Sequence, residues 1–266
     1  MQVIIKLFQL YVIINHVFGN AKGSKAYLKS VILVPRHGER TALSTYDNDP
    51  NALYWMKYGF GSLTDNGEKR MRHLGEFLRK RYDSIWPEKE KIYVRSNREN
   101  RCIQSAEHLI SGAYNEDFLS NPVKIHNVPI EEDIMMSFNA KCPVYDKELD
   151  RVFNLPDMKQ WINSYANLIK YFEEKCGSDS VDSSLKVGGL FDNFCSIKEN
   201  NLTTPIWLND TIYNRTAEFI DRYFVELFRT TLQKRLRVGS FLAEIRNQIN
   251  LIESNNTFDS VRIYSG

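Results

Sequence analysis

Apolar residues along the chain fall into runs of two kinds. Val31-Ile-Leu-Val34 is a short unbroken aliphatic run closed by Pro35, and a run without polar alternation is read as a strand buried on both faces. A helix is predicted after Leu63, with Thr64 or Asp65 as its N-cap. It runs to about Tyr82, because Met71, Leu74, Leu78 and Tyr82 recur at steps of three and four. Its other face carries Lys69, Arg70, Arg72, Arg79 and Lys80 and is read as solvated. Lys91-Ile-Tyr-Val-Arg95 reads as a second strand, and Asn100 to about Gly112 as a second helix with Ile103, Ala106, Leu109 and Ile110 inward. Strand, helix, strand, helix in this order predicts an α/β fold, a parallel-type sheet with crossover helices.

From about Asn121 the pattern changes. Leu149, Val152, Phe153 and Leu155, then Trp161, Tyr165, Leu168, Ile169 and Phe172, keep helical spacing, and strand alternation is scarce. The stretch 121–234 is therefore expected to be a smaller, mainly helical cap domain. The main domain is expected to comprise 22–120 and 235–266, with Gly239 to Ile249 as a crossover helix and Ser260-Val-Arg-Ile-Tyr264 as a further strand.

The first residues fit neither pattern. Met1 to Phe18 is apolar with one early charge, Lys6, and is interrupted by Gln9, Asn15 and His16. It makes a poor membrane span, which needs about 20 apolar residues. Small residues Gly19 and Ala21 follow, which is the layout of a secretory signal peptide, assigned here to 1–21. No later run could span a bilayer. Export agrees with glycan acceptor triplets at Asn201, Asn209, Asn214 and Asn255. An oxidising compartment would favour disulfides among Cys102, Cys142, Cys176 and Cys195, with three pairings open. Cys102 reads most simply as a small buried thiol, and the spacing resembles no zinc site. Lys plus Arg number 35 against 33 acidic residues. That balance gives no basic footprint for nucleic acid.

The segment with most chemistry is Arg36-His37-Gly38-Glu39-Arg40, directly after the first strand. Ligands of open parallel sheets bind beyond the carboxyl ends of strands. Arg36 and Arg40 offer planar donor forks for a phosphate or carboxylate, and Gly38 allows close backbone approach. A neutral imidazole can attack phosphorus, and its phosphorylated form then hydrolyses. Arg95 ends the second predicted strand. If both strands share a sheet, Arg95 converges with Arg36, Arg40 and His37 on one edge, suited to a dianionic phosphoryl group. No metal-ligand cluster accompanies these residues, so the arginines are expected to neutralise the charge without a metal or other cofactor. By chance alone, Arg-His-Gly-x-Arg arises in a chain this long with a probability on the order of 10⁻³.

RHGER after a hydrophobic strand resembles the phosphate-binding signature of the histidine acid phosphatase family, in the phosphoglycerate mutase-like superfamily. Leu63-Thr-Asp-Asn-Gly67, Leu74-Gly75, Val94-Arg95-Ser96 with Arg101 and Ser105-Ala106, Cys142-Pro143, and Phe194-Cys195 before Pro205-Ile-Trp207 are similar to later landmarks of its animal prostatic and lysosomal-type members. The resemblance implies an α/β domain with a smaller helical domain over the active-site edge. It implies hydrolysis of small phosphomonoesters at acid pH, with His37 as nucleophile and Arg36, Arg40 and Arg95 as the phosphate clamp. It further implies secretion or lysosomal delivery, and it allows a homodimer. The family's general acid is an aspartate in a His-Asp pair, and Arg262-Ile-Tyr-Ser-Gly266 resembles the strand just before that pair. The expectation is thus a sequence cut short of its proton donor, and general acid catalysis contributes roughly 10²- to 10⁴-fold. Cys142 and Cys195 resemble family cysteines whose partners lie further on, and a Cys176–Cys195 pairing stays open. The alternative is an exported phosphate-ligand-binding or impaired phosphatase-like protein on the same scaffold. A phytase or mutase relative fits the landmarks after Cys142, and the leader, less well.

Overall fold

Four consecutive aliphatic residues, three of them β-branched, closed by a proline favour an extended backbone, and in the computed structural model of the chain Val31–Leu33 is a strand buried at every position. The structure describes the backbone of residues 11–12 and 184–185 and all of 28–177, 186–254 and 256–266. In chain order its elements are β1 (Tyr11–Val12), β2 (Val31–Leu33), α1 (Ala52–Tyr58), α2 (Asp65–Arg81), β3 (Tyr93–Ser96), α3 (Asn100–Tyr114), β4 (Ile125–His126), α4 (Pro143–Phe153), α5 (Pro156–Asn163), α6 (Ala166–Cys176), α7 (Ser184–Glu199), α8 (Asp210–Glu226), α9 (Thr231–Glu253) and β5 (Val261–Ser265). They fall into two units. One takes Met1–Gly38, Asp65–Lys141 and Gly239–Gly266, and the other takes Glu39–Thr64 and Cys142–Val238.

The first unit holds the sheet, in the order β1-β2-β5-β3-β4. β2, β5, β3 and β4 run parallel, and β1 is antiparallel on β2. The register places Val31 beside Val261 and Leu33 beside Ile263, with Val94 on the far side of Ile263. These side chains line one face. They pack against Met71, Leu78 and Tyr82 of the α2 segment and Ala106, Leu109, Ile110 and Ala113 of α3, so the helix face read from the sequence is the buried one. The alternate positions are mixed, with Ile32 beside Arg262. Arg262 lies over the Tyr93 ring at 3.6 Å and pairs with Glu244 of α9 at 2.9 Å.

α2 and α3 approach unusually closely. A Cβ built on Gly75 would lie 1.9 Å from the Leu109 carbonyl oxygen, and one on Gly112 would lie 1.9 Å from the Arg72 carbonyl oxygen. This explains why α3 does not stop at Gly112. That glycine is needed for the crossing, and the helix instead ends at Asn115, in the left-handed region at φ +52°.

The sheet also reaches beyond the expected boundary at residue 121. β4, two residues long, pairs with β3 through Val94↔Ile125 and Arg95↔His126, and the first unit continues to Lys141. β3 begins at Tyr93 rather than Lys91, because Lys89–Lys91 closes a 3₁₀ turn.

The second unit is helical. Its core gathers Phe172, Phe194, Val152, Met158 and Phe219, all nearly inaccessible, and Trp161 stacks on Phe219 with centroids 4.8 Å apart. Asp49 is a polar hub. Its carboxylate accepts from Thr45 Oγ1, Trp55 Nε1, Asn193 Nδ2 and the Asn51 backbone N–H at 2.7–2.9 Å. α9 starts well before Gly239, the expected start. Thr230 Oγ1 accepts from the Gln233 N–H at 3.1 Å, and Gln233 Oε1 accepts from the Thr230 N–H at 2.9 Å. This reciprocal cap fixes the start of the helix.

Candidate active site

Each residue of the expected site is positioned by the elements just described. Pro35 ends β2, but the chain remains tied to β5: the Gly266 N–H donates to the Pro35 carbonyl at 3.2 Å, and the His37 N–H donates to the Gly266 carbonyl at 2.6 Å. On the other side of β5 the Asn97 N–H donates to the Ser265 carbonyl at 2.9 Å. The loop carrying His37 and the end of β3 carrying Arg95 therefore flank the carboxyl end of β5, where parallel sheets bind ligands.

His37 is half-buried, and its Nδ1 lies 2.8 Å from the Gly38 carbonyl oxygen. A carbonyl only accepts, so Nδ1 carries the proton and Nε2 keeps the lone pair. The Gly38 peptide is itself anchored. Its N–H donates to the Ser105 hydroxyl at 2.9 Å, and that hydroxyl donates to the Arg101 carbonyl at 2.6 Å. Ser105 is fully buried, so this chain of hydrogen bonds is shielded from water. Arg36 is exposed.

Arg95 Nη2 donates to Asp133 Oδ1 at 2.7 Å, and the Asp133 side chain is 1% exposed. The same oxygen accepts the backbone N–H groups of Met136 and Met135 at 3.1 and 3.3 Å. Across the strand pair from Arg95 is His126. Burial lowers its pKa, helped by the positive charges of Lys124, Arg95 and Arg262. Its ring stacks on Tyr93 at 5.1 Å.

Arg40 belongs to the second unit, where it is buried. It was expected to present an open fork, but the end of its guanidinium is occupied. Nη1 donates to Asp192 Oδ2 at 3.1 Å and to the Thr41 carbonyl at 3.0 Å, and Nη2 donates to Asp192 Oδ1 at 2.5 Å. Its Nε is buried without a hydrogen-bond partner among the described residues. Asp133 and Asp192 had no signal in the sequence, since they lie 38 and 152 residues from the arginines they hold.

The remaining expected positions are less central. Among the described residues no disulfide forms. Cys102 and Cys176 are buried, while Cys142 and Cys195 are half-buried. Cys176 and Cys195 are thus not joined. Cys195 Sγ lies 3.6 Å from the Tyr213 hydroxyl instead, and burial pushes its thiol pKa up. Asn201, Asn209 and Asn214 are exposed. Asn209 caps α8, its Oδ1 accepting the Ile212 N–H at 3.0 Å. Asn255 and the leader 1–21, apart from the backbone of β1, lie outside the described residues. Among the described residues no helix is long and apolar enough to cross a membrane.

Residues 27–257 match the sequence profile of the Histidine phosphatase superfamily (branch 2), and the chain belongs to that superfamily. Among curated proteins it is similar to lysosomal acid phosphatase of Homo sapiens, 26% identical over 254 residues. That match covers 90% of this chain and 60% of the relative. It is also similar to prostatic acid phosphatase of Homo sapiens, 25% identical over 253 residues and covering 90% of this chain and 66% of the relative. The chain therefore spans about 60% of the length of lysosomal acid phosphatase. Among solved structures the phytase from Citrobacter braakii shares the fold, with a TM-score of 0.63 at 15% identity, covering 90% of this chain and 72% of the phytase.

Proposed function

We propose that the chain is the part of an acid phosphatase that binds and receives the phosphoryl group of a small phosphomonoester, with His37 as nucleophile. The observation that carries this reading is the Nδ1 contact to the Gly38 carbonyl, which in the neutral ring puts the proton on Nδ1 and the nucleophilic lone pair on Nε2. In the first step an Nε2–P bond forms as the P–O ester bond breaks, and the leaving oxygen takes a proton from solvent and departs as the alcohol. In the second, water attacks phosphorus and gives up a proton to solvent, the N–P bond breaks, and inorganic phosphate is released with the imidazole restored. Arg36, Arg40 and Arg95 are assigned to the clamp. Arg95 has geometric support, because its strand and the His37 loop flank the same end of β5. Arg36 and Arg40 rest on the motif and on family membership. Guanidinium donors aimed at the equatorial oxygens stabilise charge that spreads there during transfer.

Family membership and the lysosomal and prostatic relatives support hydrolysis of phosphomonoesters and a lysosomal or secreted location. The signal peptide at 1–21, glycans at Asn201, Asn209, Asn214 and Asn255, and a homodimer belong to the same proposal. The test is turnover of an aryl phosphomonoester at acid pH. His37→Ala abolishes it on this reading, whereas activity equal to the parent protein refutes the assignment.

A further inference from the structure

The ion pair between Arg95 and Asp133 is incomplete in a particular way. Arg–carboxylate ion pairs frequently close both carboxylate oxygens on two guanidinium N–H groups, the fork-to-fork geometry. Here a single bond joins them, Nη2 to Oδ1. Arg95 Nε and Asp133 Oδ2 are both buried without a hydrogen-bond partner among the described residues. A buried donor and a buried acceptor left open within one ion pair are costly, and such groups in native structures call for a reason. Asp133 is firmly placed, since its Oδ1 also ties down the N–H groups of Met135 and Met136. Arg95, by contrast, is gripped at one corner only. In the second unit Arg40 is held differently: Asp192 takes both of its Nη groups, fork to fork, and accepts the Leu43 N–H at 2.9 Å, so that neither oxygen of that carboxylate is left open.

From this we infer that Asp133 is a positioning residue for phosphoryl transfer, which holds the Arg95 guanidinium by one corner and so leaves the rest of its donor fork to a phosphoryl oxygen. The inference rests on the phosphatase reading above. A phosphoryl oxygen would accept a hydrogen bond from the guanidinium, and the anion would share Arg95 with Asp133. The carboxylate limits how far the side chain can swing. Misplacing a group by about 1 Å costs on the order of 10²-fold in rate, which sets the scale of the effect.

The test is single-turnover labelling of His37 by p-nitrophenyl phosphate, using the full chain. Asp133→Asn keeps an Oδ1 that accepts from Met135 and Met136 but loses the charge that grips Arg95. The labelling rate is expected to fall about 10-fold, and about 100-fold in Asp133→Ala, with the circular dichroism spectrum unchanged for Asp133→Asn. Because Asp133 acts through Arg95, Asp133→Asn has no further effect when added to Arg95→Gln. An unchanged rate in Asp133→Asn overturns the inference, as does an equal fall in the Arg95→Gln background. If the parent protein does not label His37 at all, the phosphatase reading fails and this inference fails with it. If the parent labels and Asp133→Asn labels equally fast, only the role of Asp133 is lost.

Discussion

Gly75→Ala separates two opposing effects on the same helix. In a helix interior alanine is favoured over glycine by about 1 kcal/mol, so from propensity alone the substitution stabilises. The packing dictates the opposite. The new Cβ would meet the Leu109 carbonyl oxygen at 1.9 Å and the Ala113 nitrogen at 2.8 Å, whereas ordinary contact begins at 3.4 Å. Both obstacles are backbone, so no side chain can rotate aside, and α2 and α3 must part locally by about 1.5 Å. A radial gap of even 0.5–1 Å forfeits roughly a quarter to a half of the dispersion energy between facing atoms. The atoms affected are those of Met71, Leu78, Leu109 and Ile110, all nearly inaccessible. Overpacking of this kind costs about 3 kcal/mol, and after the propensity gain a net loss of about 2 kcal/mol remains. With a urea m-value of about 3 kcal/mol/M, the unfolding midpoint falls by about 0.7 M. Gly239→Ala is the control. It makes the same chemical change inside α9, where a Cβ meets nothing within 4 Å, and its midpoint rises by about 0.3 M. A midpoint for Gly75→Ala equal to or above the parent value refutes the close-approach argument.

Three further outcomes follow from the same structure. Asp49→Ala strands the Trp55 indole N–H, the Asn193 amide and the Asn51 N–H without their acceptor; the expected cost is about 3–5 kcal/mol, read as a lower urea midpoint. Thr230→Ala removes one half of the α9 cap and is expected to cost about 1 kcal/mol. His126 titrates below its ordinary value in the folded protein. The unfolded chain then binds the proton more readily, so this contribution to stability is present above the ordinary imidazole value and declines as the pH falls through it. His126→Gln should therefore flatten the loss of urea midpoint between about pH 7 and pH 5, and equal slopes in both proteins contradict the assignment.

What could be read from the sequence and what could not divides along physical lines. α2 and α3 were legible because burial on one side imposes a period on the residues themselves, and Val31–Leu33 because burial on both faces leaves an unbroken aliphatic run. The site loop was legible because Arg36, His37 and Arg40 are near neighbours in the chain, directly after a strand. β4 has only Ile125 and His126, too few for any period. α1 leaves Leu53 and Met56 exposed and buries chiefly Trp55, so its pattern hides a helix within what reads as a Gly- and Tyr-rich loop. The start of α9 did carry a signal, Thr230-x-x-Gln233. Gly239, the expected start, lies inside the continuous helix, where a Cβ meets nothing within 4 Å among the described residues. The carboxylates that hold Arg95 and Arg40 arrive from distant segments, and no local pattern encodes such a pairing.

Rapid alkaline quenching during reaction with an aryl phosphomonoester, followed by peptide mass mapping and phosphorus NMR of the labelled imidazole, tests the central claim most directly. The account predicts one phosphoryl group on the peptide that contains His37, attached through Nε2, and no label there in His37→Ala. A phosphoryl group on Nδ1 of that ring, or on any other residue, would contradict it.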